Sequence, residues 1–216
     1  MTVVALWSVP QMAGALLILG SVIVLSSAAL YMFVRDESTP IIFGQPPRVW
    51  LRLVGKHPTL WRRATLSFIA GPIVTLMGFG LLSALLHGAG DQGYAQLGLL
   101  ALAFGAVLWV INLAARLSID PWAAKLLAET GAIPESYTAI SLWTGVLFAI
   151  YTVLTFAALA LYGGAILATP SLPHWVGWAS ILYGLAGLVY FAAMRDAPPF
   201  LQYLMPILLG VLLLLA

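Results

Sequence analysis

The chain has 216 residues, of which 62% are hydrophobic and 7% are charged, and it contains no cysteine. Soluble domains carry about 25% charged residues, so the few charges here exclude a soluble fold with a water-covered surface. The absence of cysteine excludes disulfides, thiolate metal sites and cysteine nucleophiles. The composition therefore predicts an all-α integral membrane protein whose apolar helix faces meet lipid.

Long neutral blocks between the charged residues predict where the chain crosses the membrane. A helix needs about 20 residues to cross the hydrocarbon core, and the prolines of the segment TPSLPH divide the longest block in two. We therefore predict a six-helix transmembrane bundle, with short interfacial helices on the cytoplasmic side. It forms a single transmembrane domain over residues 1–216. The predicted spans are residues 11–34, 64–87, 94–115, 138–166, 175–194 and 199–216, and the cytoplasmic loops are residues 35–63 and 116–137.

The basic residues predict the orientation of the bundle. No Lys or Arg precedes Val34, so the first block lacks the basic start of a cleaved signal peptide and is interpreted as a span. All nine Lys and Arg residues fall in connections on one side, which the positive-inside rule makes cytoplasmic. The protein is therefore expected in the cell inner (cytoplasmic) membrane, with both termini outside. The nine residues are Arg35, Arg48, Arg52, Lys56, Arg62, Arg63, Arg116, Lys125 and Arg195.

Five of these nine residues lie in the segment PPRVWLRLVGKHPTLWRR, which has no acidic residue. Arg48, Arg52 and Lys56 recur every four residues, which places them on one face of a short helix. The aliphatic pair Val49 and Leu53 lies nearest to this basic row, so the amphipathic separation is expected to be imperfect. The pattern still suits the headgroup boundary, where basic side chains meet anionic lipid and aromatic rings settle.

This segment is tethered to spans at both ends and mixes its charges with Trp, Leu and Val, so no nucleic-acid partner is predicted. The expected partners are membrane lipids, anionic on the cytoplasmic side, and other membrane subunits. Docking of a cytoplasmic protein remains open. The predicted lipid-interface residues are Arg48, Trp50, Arg52, Lys56, Trp61, Arg62 and Arg63.

A second cytoplasmic helix is predicted in the segment SIDPWAAKLLAETGAIPE. Asp120 is a residue type that caps helix N-termini, and Pro121 suits the first helical position. Gly131 is a typical helix stop. The pattern indicates a short interfacial helix from Pro121 to Thr130, separate from the span that precedes it.

The spans lack the residues that most membrane chemistry needs. No Asp, Glu, Lys, Arg or His is placed near the middle of a predicted span, which disfavours proton-coupled transporters and ion pumps. The sequence also has no His-Glu-x-x-His motif, no Gly-x-Ser-x-Gly elbow and no P-loop. We therefore expect a non-enzymatic protein without a cofactor.

The polar residues inside the spans are neutral. Asn112 and Gln202 lie at similar depth, and interhelical hydrogen bonds are their expected role. Thr144, Tyr151 and Thr155 share one face of the fourth span, although Thr hydroxyls commonly bond back to their own helix. A polar path through the bundle, if one exists, would be lined by Asn112, Thr144, Tyr151, Thr155 and Gln202.

Two histidines, His87 and His174, are predicted on the outer side of the membrane. They would bind haem or a transition metal only if their spans were neighbours, and His87 would form a loose pair with Asp91. Metal sites normally need three or four ligands with further support. Two interfacial imidazoles in water are therefore the preferred interpretation, and no metal site is predicted.

Small residues at four-residue spacing predict close helix packing. The pairs are Gly80 with Ala84, Ala101 with Gly105, and Gly145 with Ala149. Pro72, inside the second span, is expected to kink its helix and shape the packing around it.

The end of the chain resembles a family. The segments LPHWVGWASILYGLAGLVYF and APPFLQYLMPILLGVLLLL cover about the last quarter of the sequence. They resemble the end of a group of bacterial multi-span membrane proteins of unknown function, which show Leu-Pro-x-Trp-x-Gly-Trp at the start of the penultimate span. The resemblance implies a six-span bundle in the cytoplasmic membrane and no activity.

These observations leave three functional hypotheses. The first is a non-enzymatic accessory or complex-forming subunit, with a broad apolar lateral surface and no sizeable internal cavity. The alternative is a carrier or channel for a small or lipophilic molecule, which needs a cavity that reaches the middle of the membrane. The third is a haem or metal-binding membrane protein that uses the two histidines.

Overall fold

The computed structural model describes residues 7–33, 46–198 and 200–215, and the side chains of residues 31–33 are not among the described parts. Within these ranges the chain forms seven helices and no strand. Residues 34–45 lie outside the described residues, and they include the end of the first predicted span and Arg35 of the first predicted loop. Residues 199 and 216, the two ends of the sixth predicted span, lie outside them as well. The helices are α1 Val9–Phe33, α2 Pro47–Lys56, α3 Pro58–Gly88, α4 Tyr94–Thr130, α5 Glu135–Leu167, α6 His174–Met194 and α7 Leu201–Leu215.

Five of these helices, α1, α3, α4, α5 and α6, are long and apolar enough to cross a membrane. The predicted all-helical, membrane-type fold is therefore confirmed. Helix α7 has 15 residues, about 22 Å at 1.5 Å per residue, which is less than the hydrocarbon core of about 30 Å. The count of six spans consequently stays a prediction.

Most pairs of packed helices in the bundle run antiparallel. Along α4 and α5, Gly98 meets Tyr162 and Gly105 meets Tyr151. The same reversed order holds for α1 with α3, α1 with α7, α3 with α4, and α5 with α6. Helices α5 and α7 are therefore parallel to each other. The C-terminal ends of α1, α4 and α6 therefore lie beside the N-terminal ends of α3, α5 and α7. We call this the basic end, because α2 also packs there and all eight Lys and Arg residues of the described part belong to it.

Helix α4 differs from the prediction, since it continues without a break through Asp120 and Pro121 to Thr130. The separate interfacial helix from Pro121 to Thr130 was therefore a wrong prediction. Asp120 is not an N-cap: it is 2% exposed and lies inside the helix. The last turns of α4 remain helical because α2 packs on them. The stop was predicted correctly, because Gly131 adopts a left-handed conformation with φ of 71°.

Helix α2 forms where the basic row predicted a helix. Arg48, Arg52 and Lys56 are exposed on one side, while Leu51 and Val54 are completely buried on the other. The separation is cleaner than expected because Leu51 and Val54, rather than Val49 and Leu53, form the apolar face. This face packs with Ala123, Ala124 and Leu127 of α4.

Glycines bring several helices into backbone contact, and of the three predicted pairs only the one at Gly105 lies against another helix, α5. A Cβ on Gly163 would lie 2.6 Å from the carbonyl oxygen of Gly177 in α6, and one on Gly20 would lie 2.7 Å from the carbonyl oxygen of Gly71 in α3. By contrast, no neighbouring atom lies within 4 Å of a Cβ on Gly80 or Gly145. The four-residue pairs at Gly80 and Gly145 were wrong because these residues face away from the other helices.

Pro72 leaves a backbone carbonyl in α3 without its usual donor. A proline has no N–H to give to the residue four positions earlier, which here is Phe68. The indole Nε1 of Trp109 in α4 donates to the Phe68 carbonyl at 2.9 Å. The Trp109 ring also stacks on Tyr151 of α5, with centroids 4.9 Å apart. Trp109 thus joins three helices at the level of the proline.

We predict opposite effects for two glycine-to-alanine substitutions. Gly163→Ala should destabilise the bundle by about 1–3 kcal/mol, because the new methyl group meets backbone atoms that cannot move aside. Gly80→Ala, the matched control, should be neutral or stabilising by up to about 1 kcal/mol, because alanine favours helix and has open space here. Unfolding in a mild detergent by heat or denaturant measures both. A Gly163→Ala protein as stable as the control variant would contradict this account of the packing.

Candidate functional site

Two clusters of polar residues join helices of the bundle. The central cluster consists of Tyr151, Thr152 and Thr155 of α5 with Gln202 and Tyr203 of α7. The anchor cluster lies at the basic end and consists of Trp50, Asn112, Arg116, Asp120, Tyr137 and Thr144. The five residues predicted to line a polar path divide between these clusters: Tyr151, Thr155 and Gln202 belong to the first, Asn112 and Thr144 to the second.

The central cluster ties the short helix α7 to α5. The hydroxyls of Tyr151 and Tyr203 are 2.8 Å apart and both side chains are buried. Next to them, the amide Nε2 of Gln202 donates to Thr152 Oγ1 at 3.1 Å. Two side-chain hydrogen bonds therefore hold α7 in place within the apolar interior, where such bonds have little competition from water.

A cavity of about 30 Å³ lies beside this cluster, between α3, α4, α5 and α7. Tyr151, Thr155 and Gln202 line it together with Pro72 and Pro206. The proline in α3 that was expected to shape the packing thus does border a cavity. The cavity is large enough for water-sized molecules, because one water needs about 10–15 Å³ of accessible volume.

Asn112 does not meet Gln202, although the two were placed at similar depth. Its Nδ2 donates to the backbone carbonyl of Thr144 in α5 at 2.8 Å, and its Oδ1 accepts from Arg116 Nε at 3.0 Å. Asn112 and Gln202 both make interhelical hydrogen bonds, but each bonds to a different turn of α5. The Thr144 hydroxyl bonds back to its own helix, at the carbonyl of Ser141.

The anchor cluster fastens α2 to the bundle. Trp50 Nε1 donates to Asp120 Oδ2 at 2.8 Å, across 70 residues of sequence. Asp120 lies beyond the predicted span 94–115. Burial raises the pKa of its carboxyl above the ordinary value, and the nearby Arg116 charge and hydrogen bonds from Trp50 and Tyr137 offset only part of this rise. The Asp120 carboxyl is a buried acceptor that α2, α4 and α5 share.

The predicted lipid-interface residues differ in exposure. All five cations of this set are exposed, and Trp50 is partly buried against Asp120. Trp61 is only 4% exposed and packs in the core between α1, α2, α3 and α4. Its ring contacts protein in this fold, so any role at the lipid interface rests on the other six residues. The five cations are Arg48, Arg52, Lys56, Arg62 and Arg63.

His87 and His174 lie at the end of the bundle opposite the basic end. Asp91, the expected companion of His87, is buried, and its carboxylate accepts hydrogen bonds from the backbone N–H groups of Gly93, Tyr94 and Ala95 at 3.0–3.2 Å. It thus caps α4, where negative charge is favourable. Among the described residues no three His, Asp or Glu side chains group closely enough to hold a metal ion.

Sequence reasoning missed three of these roles. Asp91 lies just before a long apolar helix, and an Asp in this place is a recognised signal of a helix N-terminus. Its capping role could therefore have been predicted from the sequence. Trp109 and Asp120 offered no such signal, because their partners Phe68 and Trp50 are 41 and 70 residues away.

No family model, curated protein or solved structure matches the chain. The resemblance of the last quarter of the sequence to a bacterial membrane protein family therefore stays a prediction.

We predict that Asp120→Leu loosens α2 more than Asp120→Asn does. Asparagine keeps an oxygen acceptor for Trp50 Nε1 without a buried charge. Leucine has no acceptor, so the indole N–H of Trp50 and the hydroxyl of Tyr137 would be left unpaired, which destabilises the fold by about 1–3 kcal/mol. Limited proteolysis between α2 and α3, in detergent, reports whether α2 detaches. Equal cleavage of the two variants would show that the hydrogen bond does not hold α2.

Proposed function

We propose that the chain is a non-enzymatic, six-span protein of the cytoplasmic membrane that acts as an accessory or complex-forming subunit. Both termini would lie outside and the basic end would face the cytoplasm. The gathering of eight basic residues at one end of the bundle supports this orientation through the positive-inside rule. Helix α7 would be the sixth span, completed by the residues that flank it.

The observation that carries the proposal is the outer face of α6. Only 22% of the residues in its most apolar stretch are buried, against 39–44% in the other four long helices. Its large side chains form one stripe at alternating spacings of three and four residues, the spacing by which two helices interlock. Every residue of the stripe is at least half exposed: Trp175, Trp178, Leu182, Leu185 and Val189.

The opposite face of α6 already has its partner. Gly177 and Gly184 lie against α5 at backbone distance. Small residues thus serve the contact within the chain, and the large ones point away from it. A helix from another subunit is the occupant that this division of α6 favours.

The basic end supports a second kind of partner, anionic lipid. A groove of about 450 Å³ lies between α2 and the last turns of α4, and its charged lining residues are the cations Arg52 and Lys125. Lys125 pairs with Glu129 at 3.9 Å, but both side chains are mostly exposed, so this pair is weak. Leu51 and Val54 contribute apolar lining. The groove is thus suited to the headgroup and upper acyl chain of an anionic phospholipid.

A carrier for a small molecule is the second candidate. The central cavity favours it, because three of the five predicted polar residues line this cavity beside two helix-breaking prolines. At about 30 Å³ the cavity admits water-sized molecules. Transport of anything larger would require α3 and α7 to move apart.

The subunit proposal predicts that the stripe on α6 holds a partner. Leu182→Ala with Leu185→Ala should abolish co-elution of the other polypeptides when the protein is purified from its native membrane in mild detergent. Leu142→Ala with Val146→Ala on α5 is the matched control, since these two residues are also exposed, at 71% and 57%. Wild-type protein that elutes alone, or loss of partners in both variants alike, would overturn the proposal.

The lipid proposal predicts that position matters as well as charge. Arg52→Gln with Lys125→Gln should release anionic phospholipid that stays bound through detergent extraction, as counted by native mass spectrometry with added phosphatidylglycerol. Arg48→Gln with Arg62→Gln removes the same charge outside the groove. Each double variant loses about 2 kcal/mol of non-specific attraction to anionic lipid. If the groove is a binding site, the Arg52→Gln, Lys125→Gln variant therefore loses more bound lipid than the control variant does. Equal losses of bound lipid in the two variants would show a diffuse electrostatic attraction and contradict a specific site in the groove.

A further inference from the structure

Five polar side chains line the central cavity, which otherwise has apolar walls: Thr75, Tyr151, Thr155, Gln202 and Tyr203. Of its polar residues, Thr75 and Thr155 use their hydroxyls within their own helices. Thr75 Oγ1 donates to the Gly71 carbonyl and Thr155 Oγ1 to the Tyr151 carbonyl, both at 2.9 Å. The hydroxyls of Tyr151 and Tyr203 pair with each other. Four of the five polar side chains that line the cavity thus have a protein partner for every polar atom.

Gln202 is the exception. Its side chain is 1% exposed, its Nε2 is bonded to Thr152, and no protein donor reaches its Oε1. Turning the amide over would satisfy the oxygen and leave the nitrogen unpaired instead. A buried polar atom without a partner costs about 1–3 kcal/mol. Pro206 adds to this, because it has no N–H to donate to the backbone carbonyl of Gln202 one turn earlier.

The size and charge of the cavity restrict what binds there. Its volume of about 30 Å³ corresponds to about two waters, at 10–15 Å³ for each. No Asp, Glu, Lys, Arg or His lines it, so nothing in the wall compensates an ion. The ligand is therefore small, neutral and able both to donate and to accept hydrogen bonds.

We propose that the cavity is a binding site for about two water molecules, which bond to the side-chain amide of Gln202 and to the Tyr151–Tyr203 hydroxyl pair. The waters complete the hydrogen bonding of Gln202 and thereby strengthen the attachment of α7 to α5. This inference does not depend on whether the chain is a subunit or a carrier, because it concerns the packed interior alone.

Radiolytic labelling by a short X-ray pulse tests the proposal, since hydroxyl radicals formed from a bound water oxidise the side chains beside it. Mass spectrometry then gives the labelling rate at each tyrosine of the protein in detergent. Tyr203 should be labelled several-fold faster than Tyr162. Tyr162 is the internal control, since it is also buried (0% exposed, against 4% for Tyr203) but its hydroxyl contacts Ser83 and the Phe79 carbonyl rather than the cavity. Equal rates at the two tyrosines would overturn the proposal.

Two variants locate the waters. Gln202→Leu removes the amide, and Ala106→Val adds two methyl groups to a residue of the cavity wall while Gln202 and Thr152 stay intact. Both should reduce Tyr203 labelling to the Tyr162 rate, with Tyr162 labelling unchanged as the sign of an intact fold. If Gln202→Leu fails to fold, Ala106→Val alone decides. Fast Tyr203 labelling that persists in a folded Ala106→Val protein would show that the water is elsewhere.

Discussion

The bundle depends on close backbone contact between helices. Lipid gives apolar helices little reason to associate, so packing at short distance must hold them together. Glycines supply this contact where α1 meets α3 and α7, and where α5 meets α6. The middle of the bundle uses larger groups, with Trp109 joining α3, α4 and α5. Two tightly packed sets of helices are thus joined by an aromatic and polar centre.

This arrangement explains where the polar groups are found. Most of those in the interior complete a backbone or side-chain hydrogen bond that the apolar surroundings would otherwise leave open. Trp109 bonds to the carbonyl left by Pro72, Asp91 caps α4, and Asn112 and Gln202 join α4 and α7 to α5. The interior polar groups are therefore chiefly structural, which favours a function exerted at surfaces. The outer face of α6 and the groove beside α2 are two exposed surfaces that suit such a function.

The limits of the sequence reasoning follow from the range of the interactions involved. Helix positions, the stop at Gly131 and the basic row on α2 depend on neighbours within a few residues, and local patterns predicted them. Two of the three predicted small-residue contacts were wrong, because a four-residue spacing at Gly80 or Gly145 does not tell which face meets another helix. Gly71 with Gly78 and Gly177 with Gly184, spaced by seven residues on faces that do pack, carried the better signal. The shared carboxylate of Asp120 has no local signature at all.

The sequence by itself predicted the apolar, membrane-type character of the chain, the positions of most helices and the end of the bundle that carries positive charge, because composition, apolar run length and charge position are properties of single segments. Only the tertiary structure decided which residues meet. It made α4 continuous through Pro121, since α2 packs along its last turns. It turned Trp61 inward, separated Asn112 from Gln202, and placed Gln202 beside a cavity formed by four helices. These outcomes depend on how distant segments pack, and no local pattern contains that information.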